Sequence, residues 1–181
     1  DDGKVNLHRQ PDSAISNSLL FPMTEAQRGG IEDLRLVPFV HDDGRTEYIG
    51  TYTAYSGQAI RSELLRTTDF SGFSLEPLSG RAARHKGMAL FPRKVGGRYL
   101  MIARQDGKNI TIIASDSLTD WDDEGQILMR PAYAWELIQM GNCGSPIECD
   151  EGWILLTHGV GGMRKYNLGP ALLDRDDPSK P

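Results

Sequence analysis

Three stretches of the chain share one layout, an acidic or glycine-bearing turn followed by an aromatic-anchored strand: HDDGRTEYIGTYTAY, RKVGGRYLMIARQD and CDEGWILLTHGVG. Their turn glycines, Gly44, Gly97 and Gly152, are 53 and 55 residues apart. A second element recurs between them. SELLRTTDFSGF and ITIIASDSLTDW both run from a strand through a small polar residue to an aspartate and then an aromatic, and their aspartates, Asp69 and Asp116, are 47 residues apart. A repeat of about 50 residues built from several short strands matches one blade of a β-propeller. A blade cannot bury both of its faces alone, so blades stack radially around a channel. No segment between the strands sustains a 3.6-residue period for about ten residues, which a parallel-sheet crossover helix requires. The expected fold class is therefore all-β, with a β-sandwich of coincidentally similar hairpins as the alternative. The repeats divide approximately as 30–80, 81–134 and 135–181 within one domain spanning 1–181. About three blades fall short of the usual ~4 to 8, so the sequence is expected to be part of a longer protein.

Composition supports this reading and removes several classes of function. Glycine accounts for 20 of 181 residues, which suits many turns and few long helices. The net charge is -5, with acids and bases interspersed and no Lys/Arg stripe, so a nucleic-acid partner is not expected. No apolar run approaches bilayer length and no secretion signal opens the chain, so no membrane partner is expected either; a cytoplasmic location is favoured by two cysteines that make no disulfide framework. Cys143 and Cys149 lack the His/Cys companions of a zinc site, and no metal is expected. Both thiols read as free, with a short-loop disulfide as the alternative.

Four constellations carry potential chemistry. In GGIEDLRLVPF, residues 29–39, a regular strand places Asp33 and Arg35 on one face and Glu32 on the other, so the acid and the guanidinium can position each other. In RAARHKGMALFPRK, Arg81, Arg84, His85 and Lys86 crowd cations before an apolar strand, a repulsive arrangement unless an anion or an acidic loop offsets it. Arg104 follows the next apolar strand. In WELIQMGNCGSPIE, Trp135 offers an aromatic face beside the Glu136 carboxylate. In LLTHGVGGMRKY, His158 ends a strand before three glycines, and with Arg164 and Tyr166 it can hold an oxyanion. Each of these has a structural alternative, as core aromatic, satisfied histidine or solvated charge. Pooled at one channel mouth, the polar inventory is Asp33, Arg35, Arg81, Lys86, Arg104, Glu136, His158 and Arg164. A conventional glycosidase needs two carboxyl groups, whereas this set is poor in acids and rich in cations.

The strings GIEDLR, YIGTYTAY, HKGMALFPRK, RYLMIARQD, WELIQMGNCGSPIE and GWILLTHGVGGMRKYNLGPALLDRDDPSK together resemble glycoside hydrolase family 130, the mannoside phosphorylases and related β-mannosidases, from about residue 25 onward. The resemblance implies part of a five-bladed β-propeller with its site at the axial channel. It matches Asp33 to the family's sole catalytic acid, although Leu34 stands where proline is usual. It implies phosphate binding by Lys86, Arg104 and His158, while Gln139 stands where the family carries a lysine. Arg35, Tyr55, Trp135, Glu136, Arg164 and Tyr166 are the expected sugar contacts. The implied reaction is inverting phosphorolysis of β-mannosides to mannose 1-phosphate, with inorganic phosphate as co-substrate and no cofactor. One acid suffices there because phosphate is already an anionic nucleophile. The alternatives are an inverting β-mannosidase using Glu136 as base and a noncatalytic carbohydrate-binding propeller. A mannose-containing oligosaccharide and phosphate are the expected partners, and homo-oligomerisation is left open.

Overall fold

A computed structural model describes residues 3–181, and among these the chain forms antiparallel sheets with no α-helix. The first sheet holds β1 (Val5–His8), β2 (Gly30–Val40), β3 (Thr46–Tyr55), β4 (Ile60–Thr67) and β5 (Gly72–Pro77), in the order β1-β5-β4-β3-β2. The second holds β6 (Ala89–Leu90), β7 (Tyr99–Ala103), β8 (Ile110–Ser115) and β9 (Gln126–Met129), paired in sequence order. The third holds β10 (Gln139–Asn142), β11 (Ile147–Cys149), β12 (Gly152–Val160) and β13 (Tyr166–Leu173). There β10 and β11 share one edge of β12, and β13 pairs with the other edge. They act as one strand broken at residues 143–146, with the Cys143 amide still bonded to the Leu156 carbonyl.

The repeating glycines close a corresponding hairpin in every sheet, β2–β3, β6–β7 and β11–β12. Gly44 and Gly97 take φ of 82° and 79°, a region open mainly to glycine. Gly152 is constrained further, because at φ 149° a Cβ would stand 2.1 Å from the Leu173 carbonyl oxygen. Asp69 and Asp116 likewise occupy corresponding turns, after β4 and β8. Residues 5–8 add an outer strand to the first sheet that the repeat did not include. Their pairing partner, β5, lies almost 70 residues further along the chain, and nothing local announces it.

Period-2 alternation sends neighbouring side chains into different cores. In β7, Met101 and Ala103 face the first sheet, where they meet Phe39, Ile49, Leu64, Leu90 and Trp121. Ile102, between them, faces the third sheet and joins Phe91, Ile110, Trp153, Leu155 and Leu173. The second sheet is thus covered on both faces, and three sheets are stacked in series, not the two of a sandwich. Each large side chain buried this way contributes about 1.5–3 kcal/mol. A third cluster, around Tyr52, Ala54, Leu65 and Leu75, lies on the far face of the first sheet. Among the described residues no helix is long and apolar enough to cross a membrane.

Candidate active site

A cavity of about 450 Å³ opens where β2, the approach to β6 and β10 meet the ends of β7 and β12. Strand β2 contributes Asp33 and Arg35, and the approach to β6 contributes Lys86 and Gly87. Arg104 enters one residue past β7, Gln139, Gly141 and Asn142 enter from β10, and His158 from β12. Arg164 and Tyr166 complete the wall. Among the described residues Asp33 is the sole carboxylate on it, against Arg35, Lys86, Arg104, Arg164 and the His158 ring.

Asp33 reaches this wall through a β-bulge. Glu32 pairs with Thr53 and Arg35 with Thr51, so two residues of β2 oppose Tyr52 alone. At the extra position Asp33 adopts φ 60°, a left-handed conformation that costs a non-glycine residue roughly 1–2 kcal/mol. Aspartate tolerates this region better than most residues, and bulges commonly re-aim a side chain beside a functional site. The bulge breaks the simple alternation expected for this strand, yet Asp33 and Arg35 still line the same cavity. Glu32 lies outside that wall and ion-pairs with Lys86 at 3.1 Å.

The basic groups are held from behind by the open edge of β10. Arg104 Nη1 donates to the Met140 carbonyl and Arg35 Nη2 to the Asn142 carbonyl, each at 3.4 Å. Burial pushes the Arg35 guanidinium below its ordinary pKa, with Arg104 adding to the effect and Asp33 opposing it. Burial lowers Arg104 as well, opposed by Tyr166, Asp33 and Asp106. His158 is lowered by burial first and then by Arg104 and Arg35, so the neutral ring is favoured in the free cavity. Its Nδ1 lies 3.8 Å from the Cys143 thiol, and its ring tilts against Tyr166 at 5.9 Å. Gly141 faces His158 across the β10–β12 ladder. A Cβ there would stand 2.7 Å from the ring atoms Cε1 and Nε2.

Seven sequence-selected residues therefore share one cavity: Asp33, Arg35, Lys86, Arg104, His158, Arg164 and Tyr166. Four others do not line it. Tyr55 pairs with Gly30 while Arg35 pairs with Thr51. Tyr55 therefore sits four residues further along β3, about 13 Å at strand rise, and its hydroxyl donates to the Gly57 carbonyl. Trp135 lies flat on the third sheet, where Cβ atoms on Gly159 and Gly169 would meet its ring at 2.7 and 3.1 Å. Those glycines make room for a side chain of the chain itself. Glu136 is 4% exposed, and its Oε2 accepts from the Ala132 and Tyr133 amides. It is a loop-fixing carboxylate that lacks the access a base would need. Arg81 turns away to the surface, where Asp122 at 2.8 Å and Glu124 offset its charge. Both cysteines are free thiols. Sequence reasoning passed over Asn142, which is 2% exposed and spans two sheets. A polar amide set among buried strand residues, directly after Gly141, was the available signal.

The family model described as beta-1,4-mannooligosaccharide phosphorylase matches residues 12–180. A 1,2-beta-oligomannan phosphorylase of Thermoanaerobacter sp. is 40% identical over 97% of this chain and 56% of its own length. A beta-1,2-mannobiose phosphorylase of Listeria innocua is 31% identical over 88% of this chain and 45% of its own. The solved structure of the Listeria innocua beta-1,2-mannobiose phosphorylase in complex with beta-1,2-mannobiose superposes with a TM-score of 0.73. That alignment has 29% identity and covers 89% of this chain and 45% of that one. The chain spans about half the length of the curated relatives it matches. Sequence match along almost the whole chain and agreement in fold lead to one assignment: the chain belongs to glycoside hydrolase family 130.

Proposed function

We propose that the complete protein is an inverting phosphorylase of β-mannosides and that this chain carries its acid and most of its phosphate cradle. The observation that supports this most is the composition of the cavity wall, one carboxylate facing four permanent cations and a histidine. Hydrolysis with inversion requires a second carboxylate to activate water, and the one candidate the sequence offered, Glu136, is buried in its own loop. Phosphate is already charged and needs no such base.

In this reading Asp33 supplies the proton to the glycosidic oxygen, directly or through a sugar hydroxyl, as the mannosyl–oxygen bond breaks. A phosphate oxygen attacks the anomeric carbon from the opposite face. The products are α-mannose 1-phosphate and the shortened sugar. Lys86, Arg104 and His158 hold the phosphate. Arg35, Arg164 and Tyr166 contact the mannosyl unit or its phosphate partner. Gln139 can donate a hydrogen bond but supplies no charge where the family carries a lysine, so the cradle is weaker by one cation. The three sheets are read as three blades of a five-bladed propeller, with the cavity at its axis.

The test is turnover of β-1,2- and β-1,4-mannobiose by the complete protein, with and without phosphate, scored for mannose 1-phosphate. The expected result is phosphate-dependent release of the sugar phosphate. Equal turnover without phosphate, giving free mannose, would overturn the reading.

A further inference from the structure

Asn142 lines the cavity and bonds to several segments around it, yet it is neither charged nor placed to do chemistry. Its side chain is buried. Nδ2 donates to the Gly87 carbonyl at 2.7 Å and lies 3.5 Å from the Ile102 carbonyl, while Oδ1 accepts from the Gly144 amide at 3.2 Å. These bonds tie the end of β10 to the second sheet at the residue directly after Lys86. Its backbone carbonyl lies on the cavity side of β10 and takes the Arg35 guanidinium. The Asn142 backbone also favours the protonated form of His158.

The direction of that carbonyl follows from the ladder. In an antiparallel pair, alternate residues turn both backbone groups away from the partner strand. Met140 does so, since its amide donates to Lys108 and its carbonyl takes Arg104, and Asn142 is two residues further on. One edge of β10 therefore presents two carbonyls to two arginines. The Asn142 amide ties the second of these to the Lys86–Gly87 segment, which Ser62 also anchors from the other side through the His85 carbonyl.

We propose that Asn142 is a positioning residue that sets the spacing of the anion-binding groups: its amide fixes the segment bearing Lys86, and its carbonyl fixes Arg35. The proposal rests on the phosphate-cradle reading above. Like charges held this closely spread apart unless each is anchored, and a rigid cradle is worth more to a small anion than the same charges on mobile tethers.

Asn142→Ala and Asn142→Ser in the complete protein test it. Phosphate and mannobiose are varied separately in steady-state assays, thermal unfolding is followed, and inorganic phosphate is titrated calorimetrically. For Asn142→Ala the phosphate KM and Kd are expected to rise about tenfold or more. The mannoside KM should stay within about twofold and kcat should recover largely at saturating phosphate. Asn142→Ser, which keeps a donor in the pocket, should lie between Ala and wild type and decides the matter if the Ala variant does not fold. A folded variant whose phosphate KM and Kd match wild type overturns the proposal. So does a parallel rise in both KM values, which marks a general structural role. If the wild-type protein binds phosphate but turns over mannosides without it, the phosphorylase reading fails while the calorimetry still decides the role of Asn142. Absence of phosphate binding by the wild type overturns both.

Discussion

Replacing Gly141 by Ala perturbs the cavity by a single methyl group that points at the His158 ring. Gly141 is not left-handed, so alanine fits its backbone and the effect is purely steric. The new Cβ would lie 2.7 Å from His158 Cε1 and Nε2 and 3.4 Å from Arg104 Nη1. Carbon atoms rest about 3.5–4.0 Å apart, so the imidazole must retreat by roughly 0.8 Å or more. Overpacking of this kind costs about 1–3 kcal/mol of stability. The functional loss should be larger than the structural one, because misplacing a binding group by about 1 Å can cost on the order of 10² in rate. The expected phenotype is a phosphate KM raised about tenfold or more with a much smaller change in mannoside KM, measured in the complete protein. Gly162→Ala is the matched control, since a Cβ there meets nothing within 4 Å. The double variant Gly141→Ala/His158→Ala sharpens the test. With the ring gone the methyl group has room, so the Gly141 substitution should add little to the loss caused by His158→Ala alone. Unchanged phosphate KM in Gly141→Ala, or fully additive losses in the double variant, would refute the argument.

Asp33→Asn should lower turnover of an unactivated mannoside by roughly 10²–10⁴ with an unchanged circular dichroism spectrum, because asparagine also accepts the left-handed backbone; near-normal turnover would remove Asp33 as the acid. Lys86→Ala should raise the phosphate KM much more than the mannoside KM, since the lost charge-assisted contact is with the nucleophile; equal effects on both would place Lys86 on the sugar instead. His158 should titrate below the usual ~6.5 of a free histidine because burial, Arg104 and Arg35 all disfavour its cation. Its folded value is depressed, so the stability it contributes is fully present above about pH 6.5 and is lost as pH falls through that folded value. Imidazole NMR, assigned with His158→Gln, should show this and an upward shift when phosphate is added; no shift with bound phosphate would put the ring outside the cradle.

The repeat was legible because it is written in local chemistry. Glycines with positive φ at Gly44 and Gly97, and strands whose neighbours alternate between cores, leave marks within a few residues of themselves. The residues that sequence reasoning misplaced depend on partners far away in the chain. Arg81 belongs to a cation cluster only until Asp122 and Glu124, more than 40 residues later, fold beside it. Trp135 reads as a platform for a sugar until Gly159 and Gly169 form the surface it covers. Glu136 reads as a base until the Ala132 and Tyr133 amides occupy it, an interaction of a loop whose shape the sequence does not announce. Asn142 was missed for the complementary reason. Its importance lies in two carbonyl groups, at Gly87 and at its own peptide, and backbone carbonyls have no sequence signature.

The cavity also shows how a repeated unit builds an asymmetric site. Each sheet can reach the cavity from two places, the strand that opens its repeat (β2, β6 or β10) and the end of the next long strand (β3, β7 or β12). In the first sheet the bulge in β2 puts an acid and an arginine, Asp33 and Arg35, on the first strand, and the second strand runs past the cavity to Tyr55. In the second sheet both places are cationic, with Lys86 before β6 and Arg104 after β7. In the third, β10 contributes no charge. It supplies the carbonyls that hold the arginines and the glycine that admits the His158 ring. The division of labour has an electrostatic logic. Burial works against Arg35, Arg104 and protonated His158 alike, a cost that the β10 carbonyls facing the two arginines reduce and that a bound anion would offset. A fifth permanent cation at Gln139 would add to that cost, and the neutral amide there lessens the repulsion, in the phosphorylase reading at the expense of one charged contact to phosphate.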